Sequence, residues 1–444
     1  VLNYLFLGVW GIVMLVSLKR PVVGLSMFII LTLSNLMQIF PAIGDFHLAM
    51  VTPALIFLIY AMRKESSAMV KTPLPVILIG FVVAVVLSAL VSGSFREGLT
   101  PIIVVVKNVG VCVLMMIFVR RWIEVRWILW ATCAGAMVNS VACVAGALSV
   151  GGIGVAEATG LMTDSNYLAL NIVPAMPLAI FFALQGKRYS RLFWWGVLVL
   201  MSVATVATYS RSGFVTALVT MAAVMWPYRR RAKTYMILLV VAVAAAVIVP
   251  QSYHKKVASI FAKEEERDRS MRGRMRLSLA GLDIFANHPV LGVGPGNFGE
   301  AMKPYFVKAS LFEVRLKHSA AHNHYVEVAA ETGVLGIGLF MTAVVASIAG
   351  VKRLRRLAHE TENDFVFVLA GALLCTLISL FTGIAFLSAE GSKMLWIGLA
   401  LPVCAGNAFV NWRQASGVAE NRNDRGFAQE TSLANAASER VAVS

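Results

Sequence analysis

Apolar runs of about twenty residues recur along this chain, and they constrain its fold more than any other feature. A helix of that length, rising 1.5 Å per residue, crosses a hydrocarbon core about 30 Å thick. Backbone polar groups in lipid must be satisfied internally, which leaves α-helices or closed β-barrels. Barrel strands carry short alternating patterns, whereas the runs here are continuous. They lie near residues 1–18, 22–40, 48–62, 75–92, 101–119, 127–148, 167–185, 193–209, 213–228, 235–250, 333–351, 365–383 and 394–411. Charged residues make up 14% of the chain and hydrophobic residues 59%, against about 25% charge in soluble domains. The expected fold is an all-α polytopic membrane protein with about twelve or thirteen transmembrane helices. Lys19-Arg20-Pro21 leaves open whether the first two runs are one element or two.

The formal net charge of +16 would suggest a nucleic-acid partner in a soluble domain. Here the cations sit in short loops between apolar runs: Lys19-Arg20, Arg63-Lys64, Arg120-Arg121, Lys187-Arg188, Arg229-Arg230-Arg231 and Lys352-Arg353. The positive-inside rule assigns those loops to the cytoplasm and argues against nucleic acid. Residues 92–100, 149–166, 209–213, 251–332 and 384–393 then fall outside. The first run has no cleavage-site pattern and reads as a span. Five cysteines lie within apolar runs at no metal-like spacing, so no disulfide framework is expected.

The pattern divides the chain into N-terminal spans (1–250), a large outer loop (251–332), C-terminal spans (333–411) and a disordered cytoplasmic tail (412–444). Within the loop, residues 270–287 are amphipathic. Met275, Leu279, Leu282 and Phe285 share one helical face, and Pro289 ends the helix. This reads as a helix lying on or plugging the membrane surface.

Several cations carry potential chemistry. Arg211, in "TYSRSGF", stands at the outer end of a span, where it either faces a cavity or snorkels to headgroups. Arg272 and Arg274, in "RGR", open the surface helix as a solvated basic face or an anion site. Lys107 reads as a buried cation within a span, able to pair with a carboxylate or an anionic ligand. "GVGPGNFG" has the glycine spacing of a dinucleotide fingerprint, but no strand precedes it and a Pro-Gly turn accounts for it.

"KHSAAHNHYVEVAAETGVLG" gathers His318, His322 and His324 before Glu327 and Glu331. Zinc is one reading of His318, His322, His324 and Glu327, but His322 and His324 diverge on a helix. Asn323 is a plausible N-cap. A second reading makes a histidine a general base, since its pKa near 6.5 lets it take a proton at neutral pH. A structural histidine at an interface is the third.

His322-Asn323, then Gly333 and Gly336, resembles the signature of the O-antigen ligase and polymerase superfamily. "RGRMRLSLAGLDIFANHPVLGVGPGNF" is similar to that family's arginine, surface helix and HP-x-x-G-x-G-x-x-x-F segment. "YSRSG" is similar to its serine-arginine motif, and "TDSNYLA" to its Asp164–Asn166 element. Together these motifs cover roughly residues 160–340. The resemblance implies a GT-C-like architecture with one large periplasmic loop in the bacterial inner membrane. It implies transfer of O-antigen from undecaprenyl diphosphate to lipid A–core, both membrane lipids, without cofactor or metal. His322 would be the base and Arg211, Arg274 and Arg272 would bind the diphosphate. Asn323, His324, Glu327, Asp164 and Asn166 would support them. A polymerase or a protein O-oligosaccharyltransferase shares the donor and remains open. A secondary transporter would show inverted repeats, and none is visible.

Overall fold

The computed structural model describes residues 2–38, 40, 47–62, 72–93, 95–149, 159–162, 164–228, 269–306, 320–389 and 391–415. Among them every regular element is helical. The long elements are α1 (Leu2–Lys19), α2 (Pro21–Ser34), α3 (Leu48–Met62), α4 (Leu74–Val91), α5 (Phe95–Phe118) and α6 (Trp122–Ser149). They continue with α7 (Ser165–Gln185), α8 (Arg188–Ala207), α9 (Arg211–Met225), α10 (Arg269–Asn287), α11 (His324–Glu360), α12 (Asp364–Phe386) and α13 (Lys393–Ala415). Among the described residues, eight helices are long and apolar enough to cross a membrane, and α1, α2, α3 and α9 contain shorter apolar helices. The chain is an all-α polytopic membrane protein. The expected span at 235–250 and residue His318 lie outside the described residues.

Local chemistry explains where the helices begin. Pro21 is the first residue of α2, where its missing N–H costs nothing. It makes the Lys19-Arg20-Pro21 stretch a break between two helices rather than a feature of one. Asp164, Ser210, Asn323 and Asn363 cap α7, α9, α11 and α12 with side-chain oxygens that accept from the first free N–H groups. Lys352 and Arg353, expected in a loop, lie inside α11, which runs on to Glu360. The sequence there, KRLRRLAHE, is rich in good helix formers. Likewise α13 continues to Ala415, so residues 412–415 are helix and not tail.

One core joins most of the bundle, with α2 against α6, α11 against α4 and α12, and α9 against α12. Polar side chains fasten α13 from within. Asn407 Nδ2 donates to the carbonyl of Met116, Cys112 Sγ to that of Trp396, and Ser347 Oγ to that of Leu399. The five cysteines are buried thiols.

The surface helix packs on α11 through a face other than its apolar stripe. Ala280, Gly281 and Ile284 are buried, and α10 packs on α11. Met275, Leu279 and Leu282 remain 48%, 52% and 49% exposed. Small side chains permit the close approach to α11, and the larger stripe is left facing away from that contact.

The described residues of the stretches 92–100, 159–166, 208–213, 288–297 and 384–393 meet at one end of the bundle. Gly98 lies against Pro295 and Gly294 against Ser92. Tyr167 donates its hydroxyl to Ser388, and Ser88 Oγ reaches the carbonyl of Glu331. At that end α11 is interrupted at Gly333, which adopts φ 64° and ψ −165°. The carbonyls of Ala330 and Glu331 accept instead from Val293 and Gly294 at 3.0 and 2.9 Å. The N–H groups of Val334 and Leu335 donate to Pro289 and Val290 at 2.7 and 3.4 Å. The turn after α10 thus re-pairs backbone that the break in α11 sets free, as buried main-chain polar groups require.

A Cβ at position 333 would sit 2.3 Å from the carbonyl carbon of Val290, while one at Gly338 would meet open space. Gly333→Ala should therefore lower the thermal unfolding midpoint by the equivalent of at least about 2 kcal/mol. Gly338→Ala should be neutral or slightly stabilising. Thermal melts of both purified variants in detergent check this.

Candidate functional site

Four segments far apart in sequence converge on one cavity of about 300 Å³, lined by Arg211, Ser212, Val215, Arg274, Met275, Ser278, His322, Ala385 and Phe386. Each is placed by local structure that the sequence explains.

Arg211 is the first residue of α9. Tyr209, at φ 52°, turns the chain sharply before it, and Ser210 Oγ caps the helix by accepting from the N–H of Gly213 at 3.0 Å. The turn is latched to α7. Asn166 Oδ1 accepts from Ser210 Oγ at 2.7 Å and from Ser212 Oγ at 3.0 Å. Asn166 Nδ2 in turn donates to Asp164 Oδ1 at 3.0 Å, and the same oxygen accepts the N–H groups of Asn166 and Tyr167. Asp164 and Asn166 therefore hold Arg211 in position and do not themselves line the cavity.

Arg274 projects from the first half of α10, half-buried. One turn on, Ser278 Oγ donates to the carbonyl of Ala321 at 3.2 Å, which ties the helix to the residue before His322. Arg272 lies on the same helix; its side chain is outside the described set.

His322 adopts φ 49°, a left-handed conformation uncommon outside glycine and often found at functional sites. It directly precedes Asn323, whose Oδ1 accepts from the N–H groups of Tyr325 and Val326 at 3.1 and 3.3 Å. The Nδ1 of His322 is buried with no hydrogen-bond partner among the described residues. Burial pushes its pKa below the usual 6.5; the charge of Arg274 pushes the same way, and Asp164 opposes both. The ring is therefore mainly neutral at pH 7, the form able to accept a proton.

The remaining candidates stand elsewhere. His324 is 2% exposed; its Nδ1 accepts from the N–H of Ala389 at 3.3 Å and its ring meets Phe340 edge-on. It fastens the 384–389 turn to α11. Glu327 is buried in α11 and does not line the cavity. Lys107, expected to be buried, is exposed on α5 and near enough to Lys393 for the two charges to repel. Neither lysine has a carboxylate partner among the described residues.

Sequence reasoning passed over Ala385 and Phe386, which line the cavity, and named Glu331 without giving it a role; its Oε1 accepts from the N–H of Gly296 at 2.9 Å. Glu331 carries a readable signal, being a carboxylate two residues before the Gly333 break. Ala385 and Phe386 carry none beyond their place at the end of a span.

Chemically, the cavity offers two guanidiniums, the N-terminus of α9 with its positive dipole end, and a neutral imidazole. It is suited to a polyanion and to taking a proton from a hydroxyl beside it.

Residues 196–341, about a third of the chain, match a family model described as O-Antigen ligase. The matched stretch contains Arg211, Arg274 and His322. No curated protein matches the chain.

Arg274→Gln removes a charge that opposes protonation, so it should raise the His322 pKa toward 6.5. Asp164→Asn, which can still cap α7, should lower it further. The pH dependence of carbethoxylation at His322, followed by peptide mass spectrometry, reads both shifts without any assay of activity. An unmoved midpoint in Arg274→Gln would mean that His322 does not sense that guanidinium.

Proposed function

We propose that this protein is an O-antigen ligase. It moves O-antigen polysaccharide from undecaprenyl diphosphate to a sugar hydroxyl of lipid A–core, at the periplasmic face of the bacterial inner membrane. The observation that carries the reading is the convergence of Arg211, Arg274 and His322 on one cavity. The family match supports O-antigen ligase or polymerase chemistry more broadly.

The reaction asks for those residue types. Breaking the anomeric C–O bond leaves the electron pair on a lipid diphosphate. Arg211 and Arg274 stabilise that charge through fork-shaped hydrogen bonds, helped by the N-terminus of α9. The acceptor hydroxyl attacks the anomeric carbon from the opposite side, so the configuration inverts. Its proton passes to His322, through Nε2 because Nδ1 is buried. The two cations supply the positive charge that a divalent metal would otherwise bring, and the reaction consumes no nucleotide. Both substrates are lipids, which suits a cavity at the edge of the spans.

Purified protein given lipid-linked O-antigen and lipid A–core, without nucleotide, should build a polysaccharide ladder on the core. Elongation of the lipid-linked donor instead would mark a polymerase, and transfer to a serine or threonine a protein oligosaccharyltransferase. His322→Ala should lower kcat by about 10²–10⁴ with donor binding retained.

Arg211→Lys and Arg274→Lys keep the charge but lose the fork. Each should lose most activity through a raised donor KM or failed donor binding. EDTA should leave the rate unchanged; loss in EDTA with recovery on adding a divalent ion would overturn the metal-free mechanism.

A further inference from the structure

At the far end of the bundle, two helix junctions meet around a second cavity of about 800 Å³. The distance follows from α5, whose 24 residues carry the chain about 36 Å from the cavity end to this one. The α1–α2 junction brings Lys19 and Arg20, and the α5–α6 junction brings Arg120 and Arg121. Val16, Ile117 and Phe118 supply apolar wall, and Trp127 lines the same space while 47% exposed. A tryptophan at such a position is typical of the headgroup level of a bilayer.

The charges at this cavity are unequally matched. Glu124 is the only acidic lining residue among the described residues, and it is already occupied. It accepts from the N–H groups of Arg120 and Arg121, and its Oε1 pairs with the Arg121 guanidinium at 2.6 Å. The Arg120 guanidinium spends its Nε on the carbonyl of Ile117 and has no carboxylate partner among the described residues. Arg20 likewise has no carboxylate partner among them. Two guanidiniums from separate junctions therefore share one cavity with no carboxylate partner of their own among the described residues, above walls suited to hydrocarbon. Cations serving only to orient the chain need no such shared cavity, and those at Lys187-Arg188 line neither cavity.

We propose that this cavity is a binding site for an anionic phospholipid. Its phosphate would sit between Arg20 and Arg120, and the start of an acyl chain would lie along Val16, Ile117 and Phe118. The site is independent of the Arg211–Arg274–His322 cavity and does not rest on its assigned chemistry.

The test is lipid retention by native mass spectrometry of the full chain in detergent. Phosphatidylglycerol is titrated against phosphatidylcholine on the parent, on R20Q/R120Q and on a control, K187Q/R188Q. The control removes equal charge from the same end of the bundle. Each basic residue contributes roughly a fivefold gain for anionic lipid, so R20Q/R120Q should weaken phosphatidylglycerol binding roughly thirtyfold. The control should stay near the parent value. R20K/R120K keeps the charge and should keep most of the binding, which separates ligand loss from misfolding. Equal retention of both lipids by the parent, or equal loss in the control, overturns the proposal. So does displacement of phosphatidylglycerol by millimolar inorganic phosphate, which would make this a site for free phosphate.

Discussion

A backbone seam holds the candidate site together. Where α11 breaks at Gly333, its orphaned carbonyls and N–H groups pair with the turn at 289–294 rather than with their own helix. Unpaired and buried, each of those groups would be costly. The seam can form only if backbone approaches backbone, and a Cβ at Gly292 or at Gly333 would lie within 2.5 Å of main-chain atoms across it. This sets the register of α10 on α11, and with it the placement of Arg274 beside His322. Glu331 reinforces it by accepting from Gly296. A second latch, Asn166 on Ser210 and Ser212, places Arg211 on the third side of the cavity. Two constraints therefore assemble a site from segments that share no local sequence.

Much of this was legible because the membrane leaves so few solutions. Apolar run length located the spans, and the basic loops sorted their ends. The stretches expected outside, where described, do gather at one end. Capping residues were readable as well, and Asn323 sits where its side-chain chemistry puts it. What escaped was tertiary. The apolar stripe of α10 marked a helix for the membrane surface, but nothing in it announced the second face, Ala280, Gly281 and Ile284, that packs on α11. Lys107 looked buried from its neighbours in sequence, but a helix in a bundle has an outward side. Lys352 and Arg353 looked like a loop, although strong helix formers carry α11 past them.

The two ends of the molecule apply the same electrostatics differently. At the cavity end, Arg211 and Arg274 stand beside a histidine kept mainly neutral by burial and by the Arg274 charge. On the proposed function, that combination holds an anion and leaves a base free to act. At the far end, Arg20 and Arg120 share an apolar-walled cavity with no titratable histidine among its lining residues. That arrangement attracts an anion without offering to react with it.

The most direct measurement of the central claim is an experimental structure of the His322→Ala variant in lipid with an undecaprenyl diphosphate bound. This variant keeps both arginines while lacking the proposed base. The account predicts diphosphate density within hydrogen-bonding reach of both Arg211 and Arg274, with the anomeric carbon facing the space the imidazole vacated. Diphosphate bound elsewhere, or held by neither guanidinium, would contradict it.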